Sequence, residues 1–235
     1  MQKIKQFIKT HPHMWWGLYM PVYLIMYFTV EHVVTDNYWA TQTAIDNYIP
    51  FCEYFVIPYN SWSILLFVLG VFFIVKDPES FRRYMWFIAI AYTTATLFCF
   101  LVPNGQDLRP AVLPRHNICT WLLQMTWAAD NNANVFPSVH VLGVVAAIAA
   151  MCHSPKLKRI WQILGTVWFV IIAASTLLVK QHAFIDLAAG FAWGGVVYII
   201  VYVIIGHKRD KRGLRCGADS PEREADYDHS PNAGI

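Results

Sequence analysis

Three short segments of the chain carry residue types able to move a phosphoryl group. They are Pro103-Asn104-Gly105-Gln106-Asp107-Leu108-Arg109-Pro110, then Phe136-Pro137-Ser138-Val139-His140, then the stretch from Ser175 to Asp186 that includes Lys180, Gln181 and His182. His182 and Asp186 are four residues apart, a spacing that puts both on one face of a helix. A carboxylate beside one imidazole nitrogen fixes the tautomer and leaves the other nitrogen free to attack phosphorus. Pro137-Ser138 reads as a helix start that offers unpaired N–H groups to an anion, with His140 in the first turn, close enough to hand over a proton. Arg109 supplies a guanidinium fork that matches phosphate oxygens. Together these groups would form a phosphoryl-transfer site that requires no metal.

Each piece also has a plainer reading. A His-x-x-x-Asp pair is often a structural hydrogen bond or half of a metal site. Ser-x-His is a common helix cap, Arg-Pro a common turn, and Lys180 a cation able to snorkel to headgroups. Co-occurrence, order and sidedness give the three segments their weight.

The elements that must position them are membrane spans. The chain is 57% hydrophobic and only 14% charged, with a mean hydropathy of +0.39. Six runs lack Asp, Glu, Lys and Arg for 17 residues or more, at 10–30, 54–75, 84–106, 131–155, 160–179 and 187–207. A bilayer-crossing helix takes about 20 mostly apolar residues. The reading is an all-α, six-transmembrane-helix bundle, which excludes a soluble domain, a secreted disulfide scaffold and a nucleic-acid binder. The basic start resembles a signal peptide, but Glu31-His32-Val33-Val34-Thr35 offers no small-residue cleavage site, so a retained first span is expected.

Charge orients the bundle. Fifteen of the 18 Lys and Arg residues fall before the first span, between the second and third, between the fourth and fifth, or after the sixth. The positive-inside rule makes that face cytoplasmic, together with both termini. Arg109, Arg115 and Lys180 remain on the outer face, where the three segments also lie. The first outer loop, 31–53, is acidic and rich in Tyr and Trp, and Asn117–Ala129 within the second reads as a short interfacial helix. Residues 207–235 have no apolar face and read as a disordered cytoplasmic tail beyond a membrane domain of 1–206. No internal repeat appears, which disfavours a symmetric transporter. Cys52, Cys99, Cys119, Cys152 and Cys216 show no Cys-x-x-Cys spacing; Cys52 and Cys119 share the outer side, and the favoured reading leaves them unpaired.

Arg109-Pro110, Pro137-Ser138-Val139-His140 and Ser175-x6-His182-x3-Asp186 appear in the order seen in the type-2 phosphatidic acid phosphatases, also called lipid phosphate phosphatases, which this chain resembles over residues 50–205. The resemblance implies His182 as the nucleophile that forms a phosphohistidine, Asp186 as its orienting partner and His140 as the acid for the leaving alcohol. It implies Arg109 and Ser138 as phosphate ligands, with Ser175 and Lys180 beside them. The family's Lys position is Val102 here and its Arg position is Thr176, so Lys180, or less directly Arg115, is the expected substitute. Asn104-Gly105-Gln106 and Lys180-Gln181-His182 are similar to the branch that includes inositol phosphorylceramide synthases, whose members pass the phosphoryl group to an alcohol.

The expectation is thus a metal-independent lipid phosphate phosphatase without cofactor, a multi-pass cell-membrane protein whose site faces outward. Phosphatidate-like or prenyl-diphosphate-like lipids are its expected substrates and membrane lipids its surroundings; a homo-oligomer stays open. Two other readings also stay open: a lipid phosphotransferase, and a non-enzymatic relative or anion transporter that kept the histidines.

Overall fold

The computed structural model describes residues 2–33 and 38–206. The expected tail at 207–235, with Cys216, lies outside the described residues. The chain is mostly helical: α1 (Gln2–Thr10), α2 (Tyr19–Val33), α3 (Val56–Lys76), α4 (Pro78–Leu101), α5 (Ile118–Ala129), α6 (Val139–His153), α7 (Arg159–Leu178) and α8 (Phe184–Tyr198), the last extended by a π-helical stretch to Ile205. Among the described residues, four helices are long and apolar enough to cross a membrane: Glu53–Lys76, Pro78–Leu101, Arg159–Leu178 and Phe184–Ile205. Their outward residues, such as Ile64, Phe67 and Val68 on α3 and Ile160, Trp161 and Ile163 on α7, are exposed hydrophobics, as a lipid-facing surface requires.

Two of the six apolar runs take a different form. The run at 131–155 is helical only from Val139 to His153. Fifteen residues rise about 22 Å, short of the roughly 30 Å of a bilayer core. Residues 131–138 instead form irregular backbone packed within the protein. The run at 10–30 is broken by a 3-10 segment, Pro12–Leu18, ahead of α2.

Helix α6 is the centre of the bundle, packed by α4, α7, α8 and α3. Val141, Leu142, Gly143, Val144, Ala146, Ala147 and Ala150 on it are buried, and small side chains there let neighbouring backbones approach. The α6–α8 crossing is close. A Cβ placed on Gly190 would lie 2.8 Å from the Val141 Cβ and 3.1 Å from the Ser138 carbonyl oxygen. One at Gly194 would meet the Val145 side chain at 3.1 Å.

The basic connections gather at one end. The Asp77 carboxylate caps α4 by accepting from the Ser80 N–H at 3.1 Å, and it also accepts the hydroxyls of Ser80 at 2.7 Å and Ser154 at 2.6 Å. These bonds tie the α3–α4 turn to the α6–α7 turn. Burial alone would raise the Asp77 pKa; the Ser154 and Ser80 bonds outweigh it and hold the carboxyl below its usual range. At the opposite end the α2–α3 and α4–α6 connections knit together. β1 (Trp39–Ala40) and β2 (Asn104–Gly105) pair in parallel, and Gly105 also bridges Ala133.

Two outcomes follow from these contacts. Gly190→Val should destabilise the fold by roughly 1–3 kcal/mol through overpacking, whereas Gly195→Ala, with nothing within 4 Å of its added Cβ, should change little; thermal unfolding in detergent compares them. Asp77→Asn should lower stability at neutral pH. Because the folded pKa is depressed, the gap from wild type should be full above the usual aspartate range and close as pH falls through the folded value, which denaturation at several pH values would check.

Candidate active site

Four links bring the three segments together at the end opposite the Asp77 turns. The Asn104 side-chain oxygen accepts the Phe136 N–H at 2.8 Å, joining the first segment to the second. Gln106 joins the first to the third by donating Nε2–H to the Lys180 carbonyl at 3.0 Å. The Ser138 N–H donates to the Asp186 carbonyl at 3.1 Å, fixing α6 to α8. Arg109 Nη2 donates to the Gln181 side-chain oxygen at 2.8 Å. The convergence expected from topology is present.

His182 lies just before α8 rather than on it. Helix α8 begins at Phe184 with Ala183 as its N-cap, so the expected shared helical face is replaced by a cap geometry. Asp186 is the third residue of the helix, and its Oδ2 accepts the Ala183 N–H at 2.7 Å. The turn that presents His182 is closed by the Thr176 carbonyl, which accepts the N–H groups of Gln181 and His182. The outcome still suits the pair: His182 Nδ1 and Asp186 Oδ2 are 3.7 Å apart, an ion-pair distance slightly beyond a hydrogen bond. His182 Nδ1 and Asp186 Oδ1 are buried and otherwise unpartnered.

His140 completes a line. Its Nδ1 lies 3.2 Å from His182 Nε2, with the rings edge-on. Tyr59 and Trp62 of α3 flank the His140 ring at 4.7 and 4.4 Å between centroids. His140 Nε2 makes no protein hydrogen bond among the described residues. Asp186, His182 and His140 thus run in sequence from the buried α8 cap to a cavity of about 400 Å³ between α2 and α3. Tyr27, Phe28, Trp62, Asp130, Asn134 and His182 are among its walls.

The remaining expected ligands are placed differently. Ser138 is the N-cap of α6 and fully buried, its oxygen accepting the Val141 N–H. The Ser175 hydroxyl is turned into its own helix, on the Ile172 carbonyl at 2.6 Å, and so is not brought to the histidines. Lys180 sits at φ 57°, and its Nζ donates to the main-chain carbonyls of Ile49 at 2.6 Å and Asp46 at 3.2 Å. Burial lowers its pKa and Asp46 opposes the shift. In this arrangement Lys180 pins the connection between α2 and α3. Arg115 pairs with Glu53 at 2.8 Å, also away from the histidines. Val102 is the exposed C-cap of α4.

Arg109 is close to the site but engaged. Its two terminal nitrogens reach the carbonyls of Trp127 and Asp130 and the Gln181 side chain, and its plane lies over the Trp127 ring. Those carbonyls end α5, where a cation complements the helix dipole. Burial lowers the guanidinium pKa and the Asp130 charge partly restores it. Its Nε is buried with no partner.

Sequence reading missed Asp130, Gln181 and Asn134 as members of the site. Gln181 is 1% exposed and joins Arg109 to the carbonyls of Asp130 and Asn131. Asn134, at φ 57°, has both side-chain polar atoms buried and unpartnered at the cavity wall. Its place three residues before Pro-Ser-x-His was open to view, but asparagine alone is a weak signal. The expected short helix is present as α5, N-capped by Asn117. Cys52 and Cys119 are both free thiols. Among the described residues no group of three or more His, Cys, Asp or Glu side chains could hold a metal ion.

No family model, curated protein or solved structure matches this chain.

Arg109→Lys should destabilise the histidine-bearing end by about 1–3 kcal/mol, since a single ammonium cannot satisfy the Trp127, Asp130 and Gln181 oxygens together. A lowered melting temperature with unchanged helical circular dichroism is the expected result.

Proposed function

We propose that this chain is an integral-membrane lipid phosphate phosphatase that works through a phosphohistidine. The observation that carries the reading is the Asp186–His182–His140 line ending at a cavity between two apolar helices. The proposal includes six membrane crossings, both termini cytoplasmic and the histidines at the outer face. The gathering of the basic turns at the end opposite the site supports that orientation.

In the proposed reaction Asp186 holds the His182 Nδ1–H, leaving Nε2 as the nucleophile. A bound phosphoryl group takes the place of the His140–His182 contact. The N–P bond forms as the P–O bond to the lipid alcohol breaks, and His140 gives its proton to the departing oxygen. Water deprotonated by His140 then attacks phosphorus, breaking the N–P bond and releasing phosphate. Arg109, already anchored at the α5 end, supplies positive charge near the group in transfer.

A lipid phosphotransferase is the second reading. The apolar and aromatic walls of the cavity, and its position between α2 and α3, favour an acceptor arriving from the bilayer over bulk water.

Purified protein in a neutral detergent, offered phosphatidate and a prenyl diphosphate with chelator present, should release phosphate. His182→Ala should lower the rate by at least about 10³-fold and His140→Ala by roughly 10²–10⁴-fold. Rapid quenching should trap an acid-labile, alkali-stable phosphate on wild type and none on His182→Ala. Turnover that survives in His182→Ala would remove it as nucleophile. Label passing only to an added alcohol would select the phosphotransferase.

A further inference from the structure

Helix α1 presents two unlike sides at the end of the bundle opposite the histidines. Its spacing places Phe7 and Ile8 on one side, with His11 one turn further on, and Lys5 and Lys9 on the other. Phe7 stacks on the His11 ring at 4.1 Å between centroids yet stays 39% exposed. Both lysines are exposed. The helix packs chiefly on the Pro12–Leu18 segment that follows it, so its apolar side is not buried in the bundle.

The depth of that segment fixes where α1 lies. His13 is buried and bonds through Nε2 to the Ile74 carbonyl at 2.8 Å, two residues short of the exposed Lys76 that ends α3. Its ring also meets Phe81 near the start of α4. Helix α1 therefore lies beside the Asp77 turn, at the level where an apolar span gives way to charge. Trp15 and Trp16 are 54% and 43% exposed at that level, with Trp16 beside Trp86, and such rings favour the headgroup boundary. The fifteen residues of α2 rise only about 22 Å, so Pro12–Leu18 completes the crossing and leaves α1 among the headgroups.

The free charge around it has one sign. Lys76, Lys156 and Lys158 are exposed on the neighbouring turns. The acidic residues there are engaged, Asp77 under the hydroxyls of Ser80 and Ser154 and Glu79 with Arg82 and Arg83. A helix with an apolar side and lysines opposite, held at the headgroup boundary beside further lysines, has the chemistry that adsorbs to an anionic lipid surface.

We infer that α1 is an anchor for an anionic leaflet, lying in the headgroup layer with Phe7 and Ile8 toward the acyl chains and Lys5 and Lys9 among lipid phosphates. The contact is separate from the histidine site and holds whichever reaction that site performs.

Full-length protein would be placed in nanodiscs of phosphatidylcholine alone, or with about one third phosphatidylglycerol, and amide hydrogen exchange over residues 2–10 followed by mass spectrometry. Exchange should be at least about tenfold slower with phosphatidylglycerol, because docking holds the helix against opening. The double variant Lys5→Gln/Lys9→Gln should abolish the difference and Phe7→Gln should reduce it, while α6 amides exchange alike throughout. Added salt should weaken the effect by screening the lysines. Equal exchange in the two bilayers, or a difference that survives Lys5→Gln/Lys9→Gln, would overturn the inference. Equally slow exchange in dodecyl maltoside without lipid would also overturn it, since α1 would then be held by the protein itself.

Discussion

Backbone that leaves a helix inside apolar surroundings must find its hydrogen-bond partners within the protein. That constraint governs the histidine-bearing end of this bundle. Residues 103–110, 131–138 and 179–183 are non-helical yet packed together, and side-chain amides satisfy them. Asn104 serves Val102 and Phe136, Gln106 serves Lys180 and Leu108, and Gln181 serves Asp130 and Asn131. The histidines are held in register because their peptide neighbours are tied down. His182 depends on Thr176 and Gln106, and His140 on the Ser138–Asp186 link.

The same economy explains why several charged side chains serve the framework. Lys180 spends its ammonium on two loop carbonyls, and Arg109 spends most of its fork on the end of α5. In a low-dielectric surround a cation with carbonyl partners is far cheaper to bury than one left without. Close helix packing is the second support. The Gly190–Val141 and Gly194–Val145 contacts bring α8 against α6, and the distance between His140 and His182 is set by that approach.

Much of the membrane domain could be read directly. Four of the six uncharged runs, 54–75, 84–106, 160–179 and 187–207, correspond to helices long and apolar enough to span, because the bilayer imposes length and polarity on the sequence itself. The run at 131–155 is helical over only part of its length, since burial inside a protein and immersion in lipid demand the same lack of charge. The helix starts at Ser138 and Asn117 were visible as caps, whose chemistry is local. His182 was placed on a helix that in fact begins two residues later, because a four-residue spacing cannot distinguish a helical face from a residue caught just ahead of the cap.

By itself, then, the sequence determined the apolar helical elements, the separation of basic turns from the histidine-bearing end, and the order of the three polar segments. Each of these is written in local composition or in charge along the chain. Only the tertiary structure decided which side chains complete the site. It turned Lys180 and Ser175 away, committed Arg109 to α5, and brought Asp130, Gln181 and Asn134 to the histidines. Such assignments turn on which of several competing partners is nearest once helices far apart in sequence have packed, and spacing along the chain does not encode that distance.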